Sequence, residues 1–268
     1  MIKVAKTRYT DRFQFHEHDA VIGSSISHYG EYSQHEVDLL LSILNENCIV
    51  YDIGANIGYH TTAFATKARH VFAFEPNLKN FKLLCANVSD FNNVTPVNVA
   101  VMDQNAVISV EEYDPEVPGN FGNVKTGTGT GVAFAINLDS FTLIKPDLIK
   151  IDVEGNELSV LQGCENIINT YRPYVYFEAH ETPNLAEIYE LFEKSEYALY
   201  WCKINNFNPG NFYNEEENIF GDSALFSILA VPDANLAVGL DPVAKTDTSV
   251  EKLYERLGMS ITFTGDNN

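Results

Sequence analysis

Residues 50–61 read VYDIGANIGYHT, and this stretch predicts the fold class. The apolar run at 48–53 is typical of a buried strand, and small residues follow it at 54–58. A helical pattern then continues to about Ala68. A strand that passes through a glycine-bearing turn directly into a helix is the unit from which parallel α/β sheets are built.

Further strand patterns alternate with helical patterns along most of the chain. The segment 70–74 (HVFAF) is closed by Glu75-Pro76-Asn77 and precedes a helix to about Val88. The other predicted strands are 94–101, 148–151, 173–177, 197–203 and 224–231, with a helix at 184–194. Strands separated by helices of this length predict an α/β fold with a mostly parallel sheet and helices on both faces.

Two segments depart from this alternation. Residues 113–131 are rich in Gly, Pro and Asn and predict a loop, and loops of this length often act as lids or binding segments. Residues 233–268 contain a weak amphipathic helix at 250–257 and predict a surface appendage or an oligomer contact. We therefore expect one domain at 1–232, with an N-terminal extension and first helix at 1–45, followed by a tail.

The composition excludes several classes of protein. The chain has 268 residues, 45% of them hydrophobic, which is enough to bury one sizeable core. Its 37 acidic and 17 basic side chains leave a formal net charge of −20, and the basic residues are scattered singly. A surface of this charge repels phosphate backbones, so no nucleic-acid partner is expected.

Compartment signals are sparse. The first residues carry positive charge without a following apolar segment, so a secretory signal is not expected. No apolar window reaches the length of about 18 residues that a membrane helix needs, which predicts no membrane partner. The four cysteines lie far apart, as is usual for reduced thiols. A cytoplasmic location is predicted.

The turn at 54–58 leaves the cofactor open between a dinucleotide and S-adenosylmethionine, and a tight turn without ligand is a third possibility. Glu75 stands about 20 residues beyond Gly54, where an acidic side chain accepts hydrogen bonds from ribose hydroxyls. The turn has Asn56 where the dinucleotide fingerprint needs its middle glycine, which argues against NAD. Asp52 would repel a pyrophosphate but suits a ligand with an ammonium group.

Four motifs in order resemble the FkbM family of S-adenosylmethionine-dependent methyltransferases. They are VYDIGANIGYHT, FAFEPN, DLIKIDVEGNE with VLQG, and RPYVYFE, and the later YWCKINNFNPGNF is also similar to part of that family. The resemblance extends over roughly residues 29–232. It implies a class I methyltransferase fold, with a seven-stranded sheet whose last strand is antiparallel and with S-adenosylmethionine across the carboxyl ends of the first strands.

The resemblance also implies which residues contact the cofactor. The residues expected beside its methionine half are Asp52, Gly54, Asn56 and Gly58. Those expected beside its nucleoside are Glu75 at the ribose, Pro76 and Asn77 next to the adenosine, and Asn98 and Ala100 near the adenine.

The segment at 29–33, which includes Glu31, is a candidate to close over the cofactor. A capping box is the alternative explanation of this region, because Glu36 follows Ser33 by three positions.

A hydroxyl acceptor must lose a proton, which requires a general base or a metal ion. Asp152 follows the fourth strand, and Glu178 and His180 follow the fifth on the same side of an extended segment. We predict His180 as the base, with Asp152 or Glu178 orienting it or the substrate. Glu154 and Glu157 have the simpler explanation that they cap the next helix.

Alternatives remain open both for the predicted base and for the segment at 206–220. Asp152, Glu178 and His180 could instead hold Mg²⁺ or Mn²⁺, although no metal is our prediction. The asparagines and aromatic residues at 206–220 suit stacking against a sugar, or they form an ordinary ordered loop in which the asparagines make turns.

The predicted function is O-methylation of a hydroxyl on a small molecule or glycan by S-adenosylmethionine. The alternatives are N-methylation, a NAD-type oxidoreductase, and a non-catalytic module that only binds the cofactor.

Overall fold

The computed structural model describes residues 1–141, 144–179, 182, 184–233 and 240–257. The described strands, in chain order, are β1 Ile2–Ala5, β2 Phe13–His16, β3 Ile49–Ile53, β4 His70–Phe74, β5 Val94–Val97, β6 Ala100–Val101, β7 Ala106–Val110, β8 Gly131–Ile136, β9 Leu148–Ile151, β10 Tyr174–Glu178, β11 Ala198–Asn205, β12 Ala224–Val231 and β13 Asp241–Pro242. The described helices are α1 Ile22–Tyr29, α2 Gln34–Ile43, α3 Tyr59–Ala65, α4 Leu78–Asn87, α5 Glu157–Gln162, α6 Glu165–Tyr171, α7 Leu185–Lys194 and α8 Val250–Leu257, with a 3-10 turn at Leu138–Ser140.

The main sheet has the strand order β5-β4-β3-β9-β10-β12-β11-β13. Strands β5, β4, β3, β9 and β10 run parallel, and β12 is antiparallel to both of its neighbours. The predicted class I methyltransferase fold, a mostly parallel sheet whose last long strand is antiparallel, is therefore confirmed, although the described sheet has eight strands where seven were expected. The two-residue strand β13 extends it by one further strand at the edge of β11.

Helices cover both faces of this sheet, as the alternation of side chains requires. Tyr51 and Ile53 face one side and pack in a cluster with residues of α5, α6 and α7. Val50 faces the other side and packs with residues of α2 and α3. The carboxyl ends of β3, β4, β9 and β10 consequently meet at one edge between the two helical layers.

The predicted strand at 94–101 is wrong in its extent. The structure divides it into β5 and β6, and β6 leaves the main sheet to pair with β8 in a small sheet that also contains β7. The chain changes direction at Asn98, whose side-chain amide donates to the carbonyls of Glu75 and Pro76. The excursion at 113–131 is mostly irregular, as predicted, and ends where β8 begins.

The described residues after Pro232, for which a surface appendage or an oligomer contact was expected, pack against the main sheet. Strand β13 extends the main sheet, and Val250 and Leu253 of α8 pack into the core cluster on one face of that sheet. A buried network also ties this segment to β11, because Trp201 Nε1 donates to Asp247 and Arg256 pairs with the same carboxylate. None of the described helices has both the length and the apolar character that crossing a bilayer requires.

Candidate functional site

A cleft opens at the carboxyl edge of the main sheet. The glycine turn after β3, the end of β4 and the loop before β6 line one half, including Gly54, Glu75 and Ala100. The other half is lined by residues of the sheet centre and by helices α2 and α3, including Asp152 and Glu178. Six of the ten cofactor residues predicted from sequence therefore border one continuous cleft with the carboxylates of Asp152 and Glu178.

The glycine turn has the conformation that its composition allows. Gly54, Asn56 and Gly58 all have positive φ angles, of 79°, 51° and 90°, and all three line the cleft. The reason for glycine at position 54 differs from the sequence-based one, because a Cβ there would lie 1.7 Å from the carbonyl oxygen of Asp152. This glycine permits β3 and β9 to approach each other, and the ligand-facing surface is made by the turn around it.

Glu75 is built into the cleft wall as a fixed acceptor. It is 6% exposed, and its two carboxylate oxygens accept from the backbone N–H groups of Asn56 and Asn77 at 2.9 and 2.7 Å. Burial raises the pKa of Glu75 to about 7 even though these two bonds act to lower it. Each carboxylate oxygen can accept a second hydrogen bond, so the geometry fits the paired hydroxyls of a ribose.

The other predicted nucleoside contacts divide into two groups. Pro76 and Ala100 line the cleft. Asn77 and Asn98 are not among its lining residues, because Asn77 caps α4 by accepting from the N–H groups of Lys79 and Asn80 and the Asn98 amide is engaged by loop carbonyls. Both asparagines shape the loops on which the lining residues stand.

Asp52 is not brought to the cleft. It is fully buried, and its Oδ2 accepts from the Thr61 hydroxyl at 2.6 Å. Its cross-strand neighbour in the parallel pair is Lys150, whose Nζ lies 3.8 Å from Oδ1. Strand alternation turns this side chain into the polar interior beneath the cleft, which the sequence-based assignment to the methionine half did not foresee.

Glu31 also lies outside the cleft lining. Its carboxylate accepts from Arg8 at 2.6 Å, from the Asn208 amide at 2.7 Å and from the N–H of Phe212 at 2.9 Å. These contacts fasten the N-terminal segment to the excursion between β11 and β12. Within the 29–33 segment, Tyr32 is the residue that reaches the cleft.

The asparagines of the 206–220 excursion are used in local turns. Asn211 donates to the carbonyls of Asn208 and Glu215, and Asn218 donates to the carbonyl of Gly221. These bonds support the ordered-loop alternative, and no residue at 206–220 belongs to the lining of the cleft.

The capping box expected from Ser33 and Glu36 does not form. Ser33 has a left-handed conformation with φ of 45°, and its hydroxyl donates to Glu36 Oε2 at 2.8 Å instead of accepting from the helix. Glu36 is thereby turned inward, where its Oε1 lies 3.3 Å from Nε2 of His60. Both Glu36 and His60 line the cleft.

Lys150 is a cleft residue that the sequence analysis missed. It is 2% exposed, and its Nζ lies 3.0 Å from Asp152 Oδ2. Burial acts to lower the pKa of Lys150, but the carboxylates of Asp152, Asp52 and Glu36 outweigh it and the pKa is raised. A lysine inside an apolar strand pattern is unusual enough to have signalled a buried partner.

Three carboxylates stand together at the ends of β9 and β10. Oxygens of Asp152, Glu154 and Glu178 all lie within 4.8 Å of one another. Burial first, and then the charges of Asp152 and Glu154, raise the pKa of Glu178 to about 10, so this side chain carries a proton near neutral pH. A protonated carboxyl group can donate a hydrogen bond to an acceptor oxygen.

The metal alternative and the predicted base depend partly on residues without a described position. Asp152 and Glu178 come together as expected, but His180 lies outside the described residues. Its assignment as base, and the absence of a metal, stay predictions.

Glu157, expected to cap α5, is buried, and one of its oxygens accepts from the N–H of Gly155 at 3.1 Å while the other accepts from Thr182 at 3.1 Å.

The excursion at 113–131 contributes to the lining of the cleft. Asn120, Gly122 and Asn123 are among the lining residues. Tyr113 stacks on Phe121 with ring centroids 4.3 Å apart, and its hydroxyl donates to the side chain of Asn80, itself a lining residue. The prediction of a binding segment in this loop is supported by this placement.

Comparison with known proteins gives one family match. Residues 52–199 match the family described as the Methyltransferase FkbM domain. A curated relative, the hexuronic acid methyltransferase AglP of Haloferax volcanii, is 30% identical over 178 residues, which are 64% of this chain and 72% of the relative.

Solved structures of methyltransferases are similar as well. A methyltransferase FkbM from Methylobacillus flagellatus KT has a TM-score of 0.46 at 17% identity, and the match covers 68% of this chain but only 43% of that chain. A precorrin-6y C5,15-methyltransferase from Geobacter metallireducens GS-15 has a TM-score of 0.47 at 19% identity, covering 74% of this chain and 87% of that one.

Proposed function

Because the chain belongs to the FkbM methyltransferase family, we propose that it transfers the methyl group of S-adenosylmethionine to a hydroxyl group of a sugar or a small hydroxylated molecule. The relative from Haloferax volcanii is named for a hexuronic acid, which makes a uronic acid or a glycan that contains one the first acceptor class to test.

The observation that carries this proposal is the shared cleft of Glu75 and the Asp152–Glu178 pair. Glu75 has two fixed oxygens for the ribose, and the turn at 54–58 brings backbone close to the methionine half. The carboxyl groups of Asp152 and Glu178 are well suited to hold a polyhydroxylated acceptor, because Asp152 lies 3.0 Å from the Lys150 ammonium group and Glu178 carries a proton. Such a pair can both accept from and donate to sugar hydroxyls.

The chemistry needs alignment more than covalent help. When bound, S-adenosylmethionine supplies a methyl group on a positively charged sulfur. Asp152 and Glu178 would hold the acceptor hydroxyl in line with that methyl group, and the buried walls of the cleft would exclude water. Alignment of this kind contributes up to roughly 7–11 kcal/mol.

The charge of the cleft indicates which part of an acidic sugar enters. Glu36, Glu75, Asp152, Glu154 and Glu178 are lining residues, whereas Lys150 is the single lysine or arginine among those described. A sugar carboxylate would meet repulsion here, so we expect the reacting hydroxyl to enter the cleft and the carboxylate to stay at its mouth. The acidic cleft and the family also argue against NAD, whose pyrophosphate is anionic.

Calorimetry with S-adenosylhomocysteine and with NAD tests the cofactor, and we expect binding of the first alone. Radiolabelled S-adenosylmethionine with the methyl glycosides of glucuronic acid and glucose tests the acceptor class. Asp152→Asn should retain S-adenosylhomocysteine binding and lose about 100-fold or more in rate. Failure to bind S-adenosylhomocysteine, or transfer only to an amine, would contradict the proposal. We also propose that the protein is cytoplasmic and has no nucleic-acid partner.

A further inference from the structure

His60 occupies a position in the cleft for which the sequence analysis assigned no role. It lies in the first turn of α3 and is 7% exposed. Its Nε2 lies 3.3 Å from Oε1 of Glu36, which is 5% exposed. Both side chains line the cleft that also contains Asp152 and Glu178. A histidine and a carboxylate that face each other at a reaction cleft form the pair used for proton transfer in many enzymes.

The imidazole lies among aromatic side chains, and its Nε2 has no partner with hydrogen-bond geometry among the described residues. Tyr32, Tyr59 and Phe64 surround it, with ring centroids 6.1, 6.2 and 6.1 Å from that of His60. The Ser33 hydroxyl donates a hydrogen bond to Oε2 of Glu36 at 2.8 Å, on the opposite carboxylate oxygen from the one that faces His60. Nδ1 has no hydrogen-bond partner among the described residues. Because Nε2 faces the Glu36 carboxylate at 3.3 Å, Nδ1 is the nitrogen left to take a proton.

The other ionisable groups of the same half of the cleft are poorly suited to accept a proton. Lys150 and Tyr32 have raised pKa values, from the surrounding carboxylates in the first case and from burial in the second, so both stay protonated. Glu178 already carries a proton near neutral pH. Asp152 is engaged by Lys150 at 3.0 Å. Imidazole is the side chain whose ordinary protonation change lies nearest to neutral pH.

We propose that His60 is the general base that removes the proton from the acceptor hydroxyl, and that Glu36 is the positioning residue that orients its imidazole. This inference rests on the proposed O-methylation. The O–H bond of the acceptor breaks toward the imidazole nitrogen as the oxygen forms its bond to the methyl carbon. The bond between that carbon and sulfur breaks, and its electron pair stays on sulfur. The imidazolium then returns its proton to water.

The charges around His60 fit this role. The Glu36 carboxylate of α2 offsets the imidazolium that the reaction creates, while Lys150 of β9 opposes it and the Asp152 carboxylate compensates that lysine. Burial acts to raise the pKa of Glu36, but His60, Lys150 and the Ser33 hydroxyl lower it, so Glu36 is ionised when the proton arrives. Glu178 and Tyr32 face the same space as neutral groups.

His60→Gln is the decisive variant because glutamine keeps much of the ring's volume and cannot take up a proton. We expect the affinity for S-adenosylhomocysteine to stay within about threefold of wild type. With whichever of the two methyl glycosides the wild-type protein methylates, kcat should fall about 100- to 10,000-fold. His70→Ala is the matched control, since His70 lies at the amino end of β4, opposite the cleft. Its kcat should stay within twofold of wild type.

Glu36→Gln separates positioning from packing. We expect the acidic limb of the kcat profile to move to lower pH, because the imidazolium loses its counter-charge, and kcat to fall about tenfold at its optimum. Loss of thermal stability with an unmoved limb would show a merely structural role and overturn the pairing. This variant also carries the test if glutamine at position 60 prevents folding.

The outcomes separate the two proposals. If the wild-type protein transfers the methyl group and His60→Gln retains full kcat, only the assignment of His60 as base is overturned. The same conclusion follows if His180→Gln loses most of its kcat and His60→Gln loses none. A wild-type protein that binds S-adenosylhomocysteine and transfers no methyl group to either glycoside overturns the proposed O-methylation of sugars and this inference together.

Discussion

Lys150 and Asp152, two residues apart on the chain, form an ion pair of 3.0 Å in the lining of the cleft, and Lys150 is only 2% exposed. The lysine belongs to β9 and stands opposite Asp52 of β3. It therefore compensates two carboxylates at the centre of the sheet. A single cation thus links the interior of the fold to the edge where the cleft opens.

Lys150→Met should destabilise the protein by about 3–5 kcal/mol, because it leaves Asp52 and Asp152 buried or half-buried without their cation. Urea unfolding measures this change. Lys245→Met is the matched control, since Lys245 pairs with Glu193 at 3.4 Å but both side chains are more than half exposed. Its effect should stay below about 1 kcal/mol. Equal losses for the two variants would contradict the role of Lys150.

Glu75→Ala should weaken S-adenosylhomocysteine binding by about 2–3 kcal/mol, because a buried carboxylate with fixed geometry would no longer accept from the ribose hydroxyls. Calorimetry at constant pH gives the affinity. Glu116→Gln is the control, as Glu116 is an exposed residue whose described ion pair is with the N-terminus. If affinity is unchanged in Glu75→Ala, the ribose contact belongs to another residue.

Glu178→Gln should make the ligand-free protein more stable at alkaline pH. Burial and neighbouring carboxylates raise the pKa of Glu178 from 4.5 to about 10 in the folded protein. A raised folded pKa gives stability that is fully present below pH 4.5 and is lost as the pH rises toward 10. Denaturation at pH 9 should therefore show a gain of at least about 1.4 kcal/mol, the free energy of one pKa unit.

The same variant should show little gain at pH 5, where the wild-type carboxyl group is already protonated in the folded state. A constant difference between pH 5 and pH 9 would show that the substitution acts through packing. The comparison uses the ligand-free protein in a buffer with a chelator, so that no cation binds the carboxylates.

Gly54→Ala should prevent correct pairing of β3 with β9, because the new Cβ would lie 1.7 Å from the Asp152 carbonyl oxygen in a backbone with φ of 79°. We expect a loss above about 3 kcal/mol or no soluble folded protein. Gly127→Ala is a precise control, since Gly127 has φ of 87° and no atom within 4 Å of an added Cβ. It should cost only about 1–2 kcal/mol.

Much of the fold follows from local pattern. The strands at His70–Phe74, Leu148–Ile151 and Ala224–Val231 have the predicted boundaries, because short apolar runs bounded by turns are unambiguous in an alternating α/β chain. The division of residues 94–101 into two strands was not predictable, since it depends on β6 pairing with β8, more than 30 residues later. The packing of α8 on the core likewise depends on partners distant in sequence.

By itself the sequence determined the strand–turn–helix unit, the glycine turn, the acidic residue after β4 and the family to which the chain belongs, because each is a short segment whose chemistry is local. Tertiary structure decided which side chains of those segments face the cleft. It buried Asp52 against Thr61 and Lys150, drew Glu31 into contacts with Arg8 and Asn208, and left Glu75 in the cleft wall.

It also brought Glu36, His60 and Lys150 to one place from a helix, the following helix and a strand nearly a hundred residues later. The physical reason is that side-chain direction depends on strand register and on helix rotation over the sheet, and both are set by packing between distant segments. Composition and spacing specify which groups a chain carries, whereas the fold specifies which of them can meet one substrate.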